Sequence, residues 1–310
     1  MQRGKPMASQ DHGAHVHTGL SHGRAFAIGI ALNLAYVGGE AVAGILSGSL
    51  ALLADAGHNL GDVLGLSLAW GAALLSRRQP GGRFTYGLRS SSILAALANA
   101  IILLVVTGGI AWEAISRIAH PVPVAGGIVI AVAAAGILVN GVTALLFASG
   151  HPRDLNVKST FLHMAADTLV TAGVVAAGIA IWLTGRLWID PAVSLIVSAV
   201  IVIGTWGLMK SAMGLALNAV PEGVDIAAVR EHLMAVPGVS ALHDLHIWGM
   251  STTETALTCH LLMPGGHPGD AVLNTVAQQL DQRFGIHHVT LQIEVADSEE
   301  ACALTPEHVV

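Results

Sequence analysis

The chain has 310 residues, of which 53% are hydrophobic and 11% charged, with a formal net charge of −6. An ordinary soluble protein carries roughly 25% charged residues, so the composition excludes a purely soluble globular protein and indicates a polytopic membrane protein with some soluble mass attached. The basic residues are scattered rather than patched, which argues against a nucleic-acid partner. The two cysteines, Cys259 and Cys302, are too few for a disulfide framework and read as reduced and cytosolic.

Residues 1–23 are rich in Gly and His, with His12, His15, His17 and His22, and read as a disordered tail. They hold no apolar core, so no cleavable signal peptide is expected. Six apolar segments follow, at 24–46, 50–76, 88–116, 122–148, 159–184 and 188–212, joined by short polar links. Crossing a bilayer takes about 20 mostly apolar residues, which each segment supplies. Lys and Arg set the orientation. In a six-span arrangement ten of them fall on one side and two, Arg117 and Arg186, on the other, which places both termini in the cytoplasm.

From Pro221 the composition becomes that of a soluble domain. An amphipathic helix is predicted over Val224–Val236, strands over Ala241–Gly249 and Thr255–Met263, a second helix over Ala271–Phe284 and a third strand over His288–Val295. The order α-β-β-α-β predicts a small, open-faced α/β sandwich. The expected division is a His-rich tail (1–23), a six-helix transmembrane domain (24–212), a cytosolic α/β metal-binding domain (213–297) and a flexible tail (298–310).

The second span carries Asp55, His58 and Asp62 where a lipid-facing helix cannot hold them. His58 and Asp62 are four apart and project from one helix face. Gly57, Gly61 and Gly65 repeat at the same interval on an adjacent strip and leave room for a neighbouring helix. The fifth span repeats the pairing with His163 and Asp167. Two imidazoles and two carboxylates make a four-ligand set suited to tetrahedral Zn²⁺. The set has no thiolate to favour Cu(I) and too few hard oxygens for Ca²⁺ or Mg²⁺. With an odd number of spans in each half, the two motif helices run in opposite directions, as in an inverted repeat with a site at the bilayer midplane. Asp55 lies outside the His-x-x-x-Asp register and either caps or pairs. Glu40 and Asp190 lie towards the outer side, to line a water-filled mouth or bond backbone groups; a supporting role is expected of them.

The run Ser49–Asp62 (SLALLADAGHNLGD) resembles the signature of the cation diffusion facilitators, and His163-x-x-x-Asp167 resembles its fifth-helix counterpart. Tyr86–Arg89, Ile189–Pro191 and His243–Trp248 are similar to family motifs as well, so that the resemblance covers residues 24–296. It implies six transmembrane helices, a metallochaperone-like cytosolic domain, a homodimer, and export of a divalent metal in exchange for protons through His58, Asp62, His163 and Asp167. Histidine at position 58 resembles the zinc-selective branch more than the one that also moves cadmium. The loop Arg77–Tyr86 lacks the ligands for a further metal that some relatives carry there, and 149–158 is short with His151 alone, which is similar to a compact bacterial form of the inner membrane.

By the same resemblance His243, His260, His287 and Glu294 bind cytosolic zinc. Strand alternation puts His260 and Glu294 on polar faces with Asp244 and His246, but groups His243 with Leu245 and Ile247. Twist or irregular geometry near the strand starts is needed to redirect His243 and His287. His267 sits in a turn as a bystander, and Cys259 points to the apolar face as a core residue. Cys302 could join a metal site but lacks a spaced second cysteine, and the tail histidines lack a fixed scaffold.

Zn²⁺ requires neutral imidazoles and ionised carboxylates, so metal and protons compete for the same lone pairs. The expected function is therefore Zn²⁺ export by proton-coupled alternating access. Alternatives are export of Co²⁺, Cd²⁺, Ni²⁺, Fe²⁺ or Mn²⁺, or a membrane metal sensor that does not transport. No His-Glu-x-x-His run supports a metalloprotease, and no enzyme activity is expected.

Overall fold

The computed structural model describes residues 23–76, 79–148, 155–295 and 302. The tail histidines His12, His15, His17 and His22, the loop residues Arg77, Arg78 and His151, and the predicted C-terminal tail apart from Cys302 lie outside them.

Six long helices form from the apolar runs: α1 (Gly23–Ser47), α2 (Leu50–Ser76), α3 (Ser91–Ala119), α4 (Gly126–Ala148), α5 (Leu155–Thr184) and α6 (Ile189–Ala216). Their ends depart from the predicted spans where backbone chemistry intervenes. The third helix begins at Ser91, not 88, because a Gly81–Phe84 bridge and the positive φ of Gly87 (70°) hold the preceding residues in turns. The fourth begins at Gly126, not 122, since Pro121 and Pro123 bias the residues before them to extended backbone.

The glycine strip of α2 receives α3. A Cβ on Gly61 would lie 2.9 Å from Leu103 Cδ1, and one on Gly65 would lie 3.0 Å from Asn99 Nδ2. Helices α4 and α5 close in the same manner, with a Cβ on Gly126 falling 2.9 Å from the Gly178 carbonyl oxygen. Inside the bundle Ala51, Leu52 and Ala54 pack with Val129, Ala133, Val174, Val197 and Ile201. Large apolar side chains such as Trp112, Leu169 and Ile203 point outward and are mostly exposed, the inverse of a water-soluble surface. Among the described residues Ser91–Ala119, Asp167–Thr184 and Ile189–Ala216 are long and apolar enough to cross a membrane.

Asp190 is fully buried at the start of α6 and caps the start of α2. Its carboxylate accepts from the Ser49 hydroxyl, from Leu50 N–H at 2.8 Å and from Ala51 N–H at 3.3 Å. The first N–H groups of a helix have no partner within it, and burial removes water as a substitute. Of the two roles expected for Asp190, bonding backbone groups is the one observed. Asp190→Ala leaves these donors buried and unpaired, at about 1–3 kcal/mol for the first of them. The expected outcome is a lower thermal midpoint of the detergent-purified protein, with Asp190→Asn intermediate.

The C-terminal unit contains α7 (Ile226–Met234), β1 (Ala241–Gly249), β2 (Thr255–Leu262), α8 (Asp270–Phe284) and β3 (Ile286–Glu294) in the predicted α-β-β-α-β order. The Asp225 carboxylate caps α7 by accepting from Ala227 and Ala228 N–H. The sheet order is β1-β2-β3, with β1 antiparallel and β3 parallel to β2. A parallel pair needs a long crossover, and α8 supplies it. Val229, Leu233, Val276 and Leu280 of the two helices pack on Leu242, Ile247, Leu257, Cys259 and Leu261 of the sheet. Cys259 is thus the predicted core residue, and its thiol is pushed up to about 12 by burial. The opposite sheet face is polar and carries the histidines.

Candidate metal sites

Within the helix bundle, His58 Nε2 of α2 lies 2.9 Å from Asp167 Oδ1 of α5. Asp167 is only 6% exposed. One turn back along α2 stands Asp55, and it faces Thr171, one turn on along α5. Going backward in one helix therefore goes forward in the other, so α2 and α5 are antiparallel here. Asp62 and His163, the other predicted members, lie in α2 and α5 one turn from His58 and Asp167, and their side chains fall outside the described ones.

Glu40 is fully buried beside this pair. Its carboxylate accepts from the Tyr36 hydroxyl at 3.1 Å and from Asn59 Nδ2 at 3.0 Å, so it bonds side chains instead of backbone and lines no open mouth. Tyr36 reaches it because residue 136 of α4 is glycine: a Cβ there would fall on the phenol oxygen. Asp55, also buried, faces Thr171 and stands close enough to Glu40 for the two carboxyls to interact. The interval of four between Tyr36 and Glu40 on α1 was a signal open to sequence reading, whereas the contact of Asn59 with Glu40 crosses between helices and no spacing shows it.

On the polar face of the C-terminal sheet, His243, His260, Glu294 and Cys302 each offer a ligand atom, all within 4.8 Å of one another. Glu294 Oε1 is 3.3 Å from His243 Nε2 and 3.0 Å from His260 Nδ1, and Cys302 Sγ is 3.7 Å from His260 Nδ1. Tetrahedral zinc with bonds of 2.0–2.3 Å separates its ligand atoms by about 3.3–3.7 Å, so the donor set fits that ion. His243 Nε2 is buried without a hydrogen bond, as expected of an atom kept for a metal. Burial would raise the Glu294 carboxyl, but Cys302, His243 and His260 beside it hold it below the usual range. Asp244 Oδ2 lies 3.5 Å from His260 Nε2, on the side of the ring away from the cluster, where an orienting carboxylate belongs.

A backbone irregularity brings His243 into the group. His243 pairs directly with His260 across the strands, and the register then shifts before His246. Asp244 takes φ of 51° within that shift. The extra residue reverses the alternation, so that Leu242 and Ile247 face the core while His243 faces out. His287 corrects the predicted ligand set. Its Nδ1 accepts from Thr255 N–H at 3.4 Å and its Nε2 is 3.7 Å from Asp281, so it stands apart from the cluster. It lies at the opposite end of β3 from Glu294. Cys302 Sγ, by contrast, lies within the group.

Two family models match the chain: the cation efflux transmembrane domain over residues 26–215 and the cation efflux protein cytoplasmic domain over residues 221–296. The cation efflux system protein CzcD of Alcaligenes sp. (strain CT14) is 35% identical over 291 residues, 94% of this chain and 92% of the relative. The zinc transporter ZitB of Escherichia coli (strain K12) is 38% identical over 257 residues, 82% of each chain. A cadmium, cobalt and zinc/H(+)-K(+) antiporter of Bacillus velezensis is 31% identical over 287 residues, 91% of each. The solved metal-bound C-terminal domain of CzcD from Cupriavidus metallidurans is 40% identical over 23% of this chain and all of that one, with a TM-score of 0.22. The chain therefore belongs to the cation efflux family and is a membrane transporter of metal cations, not an enzyme.

Proposed function

We propose that the protein exports Zn²⁺ from the cytoplasm in exchange for protons, through an intramembrane site of His58, Asp62, His163 and Asp167. The observation that carries this reading is the 2.9 Å contact between His58 and Asp167, which brings one member of each His-x-x-x-Asp motif together from antiparallel helices. Helical geometry puts Asp62 and His163 one turn from that contact on the same helix faces. Two carboxylates offset the charge of the ion and lower the cost of holding it away from water. The competition between metal and protons for these groups supplies the coupling: an inward proton gradient discharges the metal outward when the site opens to the exterior.

The protein is taken to act as a homodimer in the bacterial inner membrane with both termini cytoplasmic. The cytoplasmic-domain match supports the dimer, and the Lys and Arg distribution supports the orientation. The cluster of His243, His260, Glu294 and Cys302 holds a second, resident Zn²⁺ in the cytosolic domain. Co²⁺ is the second substrate to weigh, because it shares the tetrahedral preference of this donor set and a relative carries cobalt in its name. The test is flux in sealed proteoliposomes across Zn²⁺, Co²⁺, Cd²⁺ and Mn²⁺ at two opposed pH gradients. Zinc flux that reverses with the gradient is the expected result. Flux indifferent to the gradient removes the proton coupling, and binding without flux leaves a sensor.

A further inference from the structure

The turn Met250–Glu254 joins β1 to β2 and is seated on the start of α3. Arg89 Nη1 lies 2.6 Å from Glu254 Oε2, the Ser90 hydroxyl donates to the Met250 carbonyl at 3.2 Å, and Thr252 N–H donates to the Ser92 hydroxyl at 3.1 Å. The Tyr86 ring stands edge-on to His288 of β3 at 5.7 Å, so the loop before α3 touches the same sheet.

The turn is stiff. Ser251 accepts from Thr253 and Glu254 N–H through its hydroxyl at 3.1 and 2.9 Å, and Met250 N–H donates to the Glu254 carbonyl at 2.9 Å. Open space lies on both sides of it. A cavity of about 560 Å³ lies between it and part of the end of α6, with Lys210, Glu222 and His287 in its wall. A second, of about 510 Å³, reaches from it to Gly65, Ala72 and Asn99 inside the bundle. Leu215 of α6 packs on Gly249 at the entry to the turn, and the polar bonds of the turn itself go to Arg89, Ser90 and Ser92 at the entry to α3.

Helix α3 in turn packs closely on α2 at Gly61, where Leu103 fills the space, and Asn99 approaches Gly65 at the edge of the second cavity. Gly61 immediately precedes Asp62 in α2. We infer that Arg89 and Glu254 are positioning residues for transport: their ion pair fastens the β1–β2 turn to the residues leading into α3, so that the placement of the cytosolic domain bears on the placement of α3 and, through Gly61, of α2 and its metal-binding face. The inference rests on the assignment of the transport site to α2 and α5.

Charge reversal tests it in the full-length protein. Arg89→Glu, Glu254→Arg and the double reversal are reconstituted, and initial rates are read with whichever divalent metal the wild type moves, so that failure of the zinc reading leaves the test intact. Each single reversal is expected to lower the maximal rate at least about fivefold, the low end of coupling between sites, with KM and bound metal per protomer within twofold of wild type. The double reversal is expected to recover to within twofold. Single reversals that keep more than half the wild-type rate, or a double reversal no faster than the singles, overturn the inference. If a reversed single does not fold, the near-isosteric Glu254→Gln decides. A fivefold loss of rate with metal binding intact supports the positioning role. A wild-type rate, or loss of metal binding along with the rate, overturns it.

Discussion

Asp167→Ala is expected to lower zinc flux through reconstituted protein by at least about 100-fold under a pH gradient. The carboxylate does two jobs at once in the proposed site. It is one of two negative charges offered to the ion, and at 2.9 Å it fixes the ring of His58 from the opposing helix. Even an outer-shell change costs about 10–100-fold in a zinc site, and Asp167 is proposed as a direct ligand carrying one of the two charges. The loss is therefore expected to reach at least the upper end of that range. Asp167→Asn preserves volume and a hydrogen bond to His58 but not the charge, and it is expected to be as inactive as alanine. Asp62→Ala is expected to match both. Flux within tenfold of wild type in any of the three sinks the four-residue site, read with a zinc indicator sealed inside the vesicles.

What was legible in the sequence was whatever repeats at helical or strand period. The six apolar runs mark the six long helices, and the glycine strip announces a close neighbour without naming it as α3. The α-β-β-α-β order followed from alternation, and the core position of Cys259 did too. What escaped depends on contacts between distant segments or on irregular backbone. The bonds from Ser49, Leu50 and Ala51 to Asp190 span about 140 residues, and no local pattern shows that a carboxylate at one helix start will cap another. Period-two reasoning set His243 among apolar residues because it cannot see one extra residue in a strand. His287 rests on family resemblance alone; it stands seven residues from Glu294 at the other end of the same strand, and the parallel pairing of β3 sets it beside Thr255 and away from His260. Cys302 lacked a sequence signal, being a single thiol beyond the last strand.

That thiol gives the second large effect. Cys302→Ser in the full-length protein is expected to weaken zinc binding at the cytosolic cluster at least tenfold, since even an outer-shell change costs about 10–100-fold in a zinc site. Glu294→Gln is expected to do the same, and both leave the intramembrane site able to bind. Two readouts separate coordination from mere packing. Cobalt substituted into the wild type acquires a thiolate-to-metal absorption band only if sulfur is a ligand, and Cys302→Ser abolishes that band while retaining weak binding through the histidines. Alkylation gives the complementary view, because the thiolate is the reactive form. Cys302 is partly exposed and is expected to react when metal is chelated and to be protected when zinc is bound. Cys259 is buried, its thiol is held at about 12, and it is expected to stay unmodified in both conditions. Cys302 labelling that ignores zinc, together with a cobalt spectrum unchanged by the serine variant, removes the thiolate from the site and leaves a three-ligand cluster of His243, His260 and Glu294. Such a cluster leaves the fourth position of a tetrahedral zinc to water or to a ligand from outside the cluster.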